Sequence, residues 1–295
     1  MVKFVSIYEV EGIMLRTCLE ALNELSETVL PLSPSGIRGF VMGCPIQRIV
    51  GKILKTKLPP RVFLGSAVDA GVTHWLSGGD ETLIKQAVYK TIDEIGNFEL
   101  LPAQASAICE EAYALVLHII DSSQLPKSVE KVQAWVRLNA GPKPWHAMRG
   151  KIDFLEKGPG GYVVWDLKVT TKPTVKSVSK YRNHLMIYAA ALIEEGYDVK
   201  TIALWQVNPK DKKITLATEQ IHENDVERIK ITCSSISDVY KNGVLWIPPK
   251  FGDVCNSYDC DHFARCPFGF GKAKEFLVEL EQYKKERKDK LSVEV

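Results

Sequence analysis

The chain has 295 residues, 45% hydrophobic and 25% charged, which suits one large folded domain and excludes disorder, collagen and a small disulfide-stapled scaffold. With 38 Lys and Arg against 36 Asp and Glu, a net charge of +2 is too small to announce a nucleic-acid binder, so any basic surface must be local. No apolar run approaches the roughly 20 residues of a membrane helix, and the opening MVKFVSIYEVEG carries acids where a secretory signal has its apolar core, so a soluble cytoplasmic protein with no membrane partner is expected.

In chain order, the stretch from Pro31 to Val68 has no acid but carries Arg38, Arg48, Lys52, Lys55, Lys57 and Arg61. A run of this kind suits either a solvated face or a surface for an anion. Apolar spacing predicts helices over 65–76, 81–95 and 103–120, the last two forming a helical insertion over 80–125. From Val129 to Leu138, Val132, Ala134, Val136 and Leu138 alternate with Lys131, Gln133, Trp135 and Arg137, which predicts one strand with one buried face. Runs over 149–155 and 162–169 flank the turn cluster Lys157 to Gly161 and predict an antiparallel hairpin.

A second basic stretch follows, with Lys168, Lys172, Lys176, Lys180 and Arg182. Val178, Tyr181, Leu185, Tyr188, Ala189 and Leu192 then recur at helical spacing until Gly196. Strands over 201–207 and 214–221 and a helix over 223–240 complete the pattern of a mixed sheet flanked by helices. The end, 271–295, reads as a charged, peripheral helix with Phe276, Leu277 and Leu280 as a short apolar stripe. There is no internal repeat, and 1–295 reads as a single domain.

The chemistry concentrates in the hairpin. Asp153 falls opposite Trp165 and Asp166, which brings two carboxylates within about 5 to 8 Å, and Lys168 shares a strand face with Asp166 through the period of two. Taken alone, the trio suits a cross-strand salt bridge or a site for Mg²⁺ or Mn²⁺. Such an ion lowers the pKa of bound water and neutralises a phosphoryl oxygen, with the lysine positioning or deprotonating the water.

Gly-Lys-Ile-Asp (150–153), Trp-Asp-Leu-Lys (165–168) and the His184 to Tyr188 spacing resemble the motifs of the PD-(D/E)XK nucleases in their RecB-like branch, which show G-x-x-D, (D/E)-x-K and Q-x-x-x-Y. That branch includes the nuclease domains of RecB and AddB and the CRISPR-associated RecB-like exonucleases. Leu32 to Pro45 resembles the opening helix ending in Cys-Pro, Leu64 to Asp69 resembles the "LG-x-x-x-H" helix, and Glu130 matches a further family acid. The resemblance covers most of 32–267. It departs at Asp69, where the family has a metal-binding histidine, and at His184, where it has glutamine. Asp is a good oxygen ligand for these ions, and His donates hydrogen bonds much as Gln does. His74 lies about 140° further round the helix and does not replace the missing ligand.

Seven cysteines, Cys18, Cys44, Cys109, Cys233, Cys255, Cys260 and Cys266, argue by their odd number against a disulfide framework. Cys255-x4-Cys260-x5-Cys266-Pro reads as a metal site one ligand short. The RecB-like resemblance implies that Cys44 completes it and that a [4Fe-4S] cluster is held in a C-terminal segment over 255–267. Tetrahedral zinc or unligated thiols are the alternatives. Cys18, Cys109 and Cys233 read as packing residues.

The resemblance therefore implies a restriction-endonuclease-like α/β core and a Mg²⁺- or Mn²⁺-dependent exonuclease in recombination, repair, or CRISPR-like or phage DNA processing. Asp69, Asp153 and Asp166 would hold the ion, with Lys168, His184 and Tyr188 catalytic and Glu130, Tyr181 and Arg182 supporting. Arg38, Arg48, Lys52, Lys172, Lys176 and Lys180 would follow the DNA backbone, and a helicase, recombinase or integrase would be the protein partner. The rival is a DNA-binding or assembly protein of the same fold without hydrolysis.

Overall fold

In the computed structural model the described residues are 18, 20, 25, 30, 32–37, 60–96, 100–122, 124–175, 177–242 and 273–293. The chain divides into two compact units, one of Lys57–Pro142 with Ala147–Thr232 and one of Met1–Thr56, Lys143–His146 and Cys233–Val295. Among the described residues, no helix is long and apolar enough to cross a membrane.

The first unit opens with α1 (Pro60–Leu76), α2 (Glu81–Gly96) and α3 (Pro102–Ile120), close to the three predicted helices. Pro60 and Pro102 stand in first turns, where a missing N–H costs nothing and the fixed φ suits a helix. The Leu101 N–H donates to Gln104 Oε1 at 3.2 Å. Gly71 lets the helices approach closely, since a Cβ there would lie 2.7 Å from a Val116 methyl and 3.1 Å from one of Val88.

Seven strands follow: β1 (Val129–Val132), β2 (Trp135–Asn139), β3 (Ala147–Lys151), β4 (Phe154–Gly158), β5 (Gly161–Val169) and, after α4 (Ser177–Glu194), β6 (Val199–Val207) and β7 (Ile214–Gln220). Five of them form a mixed sheet in the order β1-β4-β5-β6-β7. Its pairings are antiparallel except β5 with β6, whose parallel register needs the α4 crossover. Strands β2 and β3 pair separately as a two-stranded ribbon.

The single strand expected over 129–138 is therefore two, and so is the first hairpin strand. The break has a backbone cause. Gln133 takes φ +49, a conformation that ends a strand, and the register is rejoined by Gln133 N–H to Asp153 O at 2.8 Å and Ile152 N–H to Ala134 O at 2.9 Å. At the tight end of the β4–β5 hairpin, Gly158 faces Gly161 across Pro159 and Gly160. Gly161 has φ +122, and a Cβ there would stand 2.7 Å from Asp198 O, so the position requires glycine.

One face of the sheet packs on the helices. Phe63, Ala67, Val68 and Val72 of α1, Ile84 and Val88 of α2, and Ala112, Val116 and Ile119 of α3 are buried with Phe154, Trp165, Leu167 and Trp205. Trp205 meets Phe154 and Trp165 edge-on at 6.5 and 6.4 Å, geometry worth about 0.5–1.5 kcal/mol per pair beyond area burial. By the period of two, Asp166 and Lys168 point to the opposite face, and α4 packs against β5, β6 and β7.

Helix α5 (Asp225–Asn242) begins in the first unit and ends in the second, which also contains α6 (Ala273–Val293). On α6, Phe276 and Leu280 of the predicted apolar stripe are buried. Within this unit Asp238 Oδ1 accepts from Trp145 Nε1 at 2.8 Å and Lys143 Nζ at 3.2 Å, and stands 3.0 Å from His146 Nε2.

Gly71→Ala tests the helix packing. Removing glycine from a helix gains up to about 1 kcal/mol, but overpacking at a 2.7 Å contact costs about 1–3 kcal/mol, so the second effect wins. Urea denaturation is expected to show a less stable variant. Unchanged or raised stability would mean that Val116 moves aside freely.

Candidate active site

The break at Gln133 delivers Asp153 to the start of β4. Phe154 pairs with Trp165, so Asp153 lies beside Asp166, as the hairpin register predicts. The Leu167 N–H donates to Asp153 Oδ2 at 2.8 Å and fixes the carboxylate against β5. Asp166 is buried, and Lys168 Nζ stands 2.7 Å from its Oδ2. Lys168 Nζ also donates to Leu167 O at 3.0 Å. From α1, Asp69 turns both carboxylate oxygens to Gln133 Nε2, at 3.1 and 3.0 Å.

Asp166 is buried and Asp69 and Asp153 are half-buried, and the three carboxylates share too little positive charge. Burial raises the Asp69 carboxyl to about 6, with Lys168 and Lys151 pulling against it and Asp166 adding to it. Asp153 is held well above the ordinary carboxylate range by burial and by Asp166, against the pull of Lys168. Burial opposes the Lys168 charge, yet Asp166 and Asp153 together hold its ammonium above the usual lysine range. Burial and the same two acids push the Tyr188 hydroxyl up, while the Lys151 N–H aimed at it works the other way.

A hard divalent cation fits this donor set. All the donors are carboxylate oxygens, and Asp166 Oδ2 is buried without a hydrogen bond. As the side chains sit, no three His, Cys, Asp or Glu among the described residues are closed around one point. Asp69 faces Gln133 and Asp153 faces Leu167 N–H, so taking up an ion requires these contacts to rearrange.

The other candidates divide. His184 and Tyr188, one turn apart on α4, are both buried and hydrogen-bonded, Nε2 to Oη at 2.9 Å. The Tyr181 ring lies 6.0 Å from Lys168 Nζ. Arg182 is not brought to the cluster: it is paired with Glu219 and, at 2.8 Å, with Asp225. Glu130 is exposed and accepts the Tyr162 hydroxyl at 2.9 Å. His74 Nε2 is 3.1 Å from Asp80 O. Lys172 is exposed; Arg38, Arg48, Lys52, Lys176, the Lys180 side chain and the four cysteines Cys44, Cys255, Cys260 and Cys266 lie outside the described residues. Cys18, Cys109 and Cys233 are buried, as expected of packing residues.

Two residues of the cluster were not read from the sequence. Lys151 sits inside the Gly-Lys-Ile-Asp motif, and its place two residues before Asp153 was a signal available there. Gln133 gave none, because strand alternation assigned it outward with Trp135 and only the positive φ turns it to Asp69.

The family model of the PD-(D/E)XK nuclease superfamily matches residues 31–267. Among solved structures, a candidate exonuclease from Eubacterium rectale aligns at 15% identity and a TM-score of 0.49, over 76% of this chain and 86% of its own. The protein SSO0001 aligns at 15% identity and a TM-score of 0.36, over 74% and 88%. Among curated proteins none matches.

The raised acids set a pH dependence. A carboxyl at about 6 in the folded chain keeps its proton where the unfolded chain, at 3.8, has lost it. Metal-free stability should therefore fall as pH rises from about 4 to about 6, by up to about 3 kcal/mol for Asp69 alone. Asp153 adds to the fall, whereas Asp225 and Asp238, held low, act only below that window. Chemical denaturation across this range should show the slope in the wild type and a shallower one in Asp69→Asn. Parallel slopes would remove Asp69 from the buried cluster.

Proposed function

The chain belongs to the PD-(D/E)XK nuclease superfamily, and on that premise we propose that it is a metal-dependent DNA nuclease of the RecB-like branch. The observation that carries this reading is the buried Asp166 beside the half-buried Asp153, a pair short of positive charge and facing Lys168. Charge of this kind costs stability in the metal-free chain, and a cation site gives it a use.

Asp153 and Asp166 would hold Mg²⁺ or Mn²⁺, with Asp69 as a third oxygen ligand released from Gln133. When bound, the ion lowers the pKa of water and neutralises charge developing on a phosphoryl oxygen. Lys168 stays charged between its two acids, which supports positioning the attacking water over deprotonating it. Tyr188 keeps its proton and is hydrogen-bonded to His184, so its hydroxyl is oriented on the same side as the acids. Phosphate and water are both within the chemistry of these donors.

The RecB-like motifs favour exonucleolytic action on DNA ends or single strands in recombination, repair or CRISPR-like processing, beside a helicase, recombinase or integrase. The same motifs favour a [4Fe-4S] cluster on Cys44, Cys255, Cys260 and Cys266, with a structural role in joining distant parts of the chain.

Asp166→Ala should abolish Mg²⁺- or Mn²⁺-dependent cleavage of end-labelled DNA and leave folding and DNA binding largely intact. Lys168→Ala should lower turnover with little change in metal affinity. Cleavage by Asp166→Ala at the wild-type rate would sink the site, and wild-type protein that binds DNA but cuts no linear, circular or single-stranded form would establish the binding-only alternative.

Protein purified without oxygen should be brown and carry about four irons per chain. A colourless, active protein with stoichiometric zinc would replace the cluster with a tetrahedral thiolate site.

A further inference from the structure

The β2–β3 ribbon has no part in the chemistry above, yet its two faces differ sharply. Val136, Leu138, Met148 and Gly150 are buried, while Trp135, Arg137, Asn139, Arg149 and Lys151 are exposed. The register sets Trp135 opposite Lys151 and Arg137 opposite Arg149. Two guanidinium groups directly across a pair of strands repel, and this face has no acid between them. The nearest acid to the far end is Glu194, which accepts the Asn139 N–H at 3.1 Å and is itself paired with Lys230. Arg137, Arg149 and Lys151 form no ion pair with a described carboxylate, unlike Lys131, Lys143 and Arg182.

Trp135 is 66% exposed and is the only exposed tryptophan among the described residues. Its ring contact is with Arg149, whose guanidinium carbon lies 5.7 Å from the ring centroid. That contact fixes the indole on the ribbon beside a cation. The face also runs into the candidate active site: Asp153 stands two residues beyond Lys151, whose charge reaches the Asp69 carboxylate, and Gln133, just before the ribbon, bonds to Asp153 O and to Asp69.

We infer that the exposed face of this ribbon binds a single DNA strand leading to the carboxylates, with Trp135 stacking on an unpaired base and Lys151, Arg149 and Arg137 holding its phosphates. The inference rests on the nuclease reading and names the form of its substrate. Three exposed cations, of which Arg137 and Arg149 have no acid beside them, complement a polyanion, and alternate residues about 7 Å apart along one strand offer a row of phosphate contacts. The flat, exposed indole decides between substrate forms. In a duplex the base faces are already stacked on one another, whereas a single strand presents them to an aromatic side chain.

The test uses the full-length, metal-free protein, so that binding is read without hydrolysis. Tryptophan fluorescence is titrated with an oligothymidine and with an abasic strand of the same length and charge. Trp135→Ala should weaken oligothymidine binding by about tenfold, remove most of the quenching and leave the abasic strand unaffected. Arg137→Gln with Arg149→Gln should weaken both strands and lower the salt slope by about 1.4, the loss of two single-strand phosphate contacts. Leu101→Ala, at an equally exposed apolar residue just before α3, should change neither.

Wild-type affinity of Trp135→Ala for oligothymidine would overturn the inference, as would an equal loss on duplex and single strand, which would leave only a basic patch. Cleavage by the wild type together with unaffected binding by Trp135→Ala would sink the ribbon alone. Trp135-dependent binding without cleavage in Mg²⁺ or Mn²⁺ would keep the ribbon and sink hydrolysis.

Discussion

The site depends on placing two carboxylates, the buried Asp166 and the half-buried Asp153, beside Lys168. Burying carboxylates costs several kcal/mol each unless they are paired, and Lys168 serves both. The chain offsets that cost on the other face of the same strands, where Phe154, Trp165, Leu167 and Trp205 pack into the three-helix layer. Period-two alternation along β5 thus assigns stability to one face and charge to the other. The strand that carries the acid and the lysine is also the central one of the sheet, between β4 and β6, which leaves it little freedom to relax.

The central trio was legible because it depends only on local rules. A glycine-rich turn sets the hairpin register, the register brings Asp153 to Asp166, and the period of two adds Lys168. Helical spacing likewise put Tyr188 on the apolar face of α4, whereas the burial of His184 beside it was not read from the sequence. The superfamily was legible for the same reason, since its motifs lie in these short segments.

What escaped depends on contacts between distant segments. Arg182 belongs to a basic stretch by sequence, but Glu219 and Asp225, both more than thirty residues on, take its charge. Glu130 is met by Tyr162, and Gln133 crosses to Asp69 on α1. Charge counted along a chain says how many cations there are; it does not say which remain unpaired after folding. Arg137 and Arg149 of the ribbon are two that do, and in the sequence they look no different from Arg182.

The break between β1 and β2 has a mechanical consequence. A loop at this point would let the ribbon swing freely, but here main-chain hydrogen bonds sit on both sides of the break, at Gln133 to Asp153 and at Ile152 to Ala134. The ribbon is therefore a stiff lever whose fulcrum is the Gln133 backbone. A load applied at Trp135 is passed to the Asp153 carbonyl and, through the Gln133 side chain, to Asp69, instead of being absorbed between them. The residue in the least comfortable backbone conformation of this region is thus the joint through which a pull from outside reaches two acids at once.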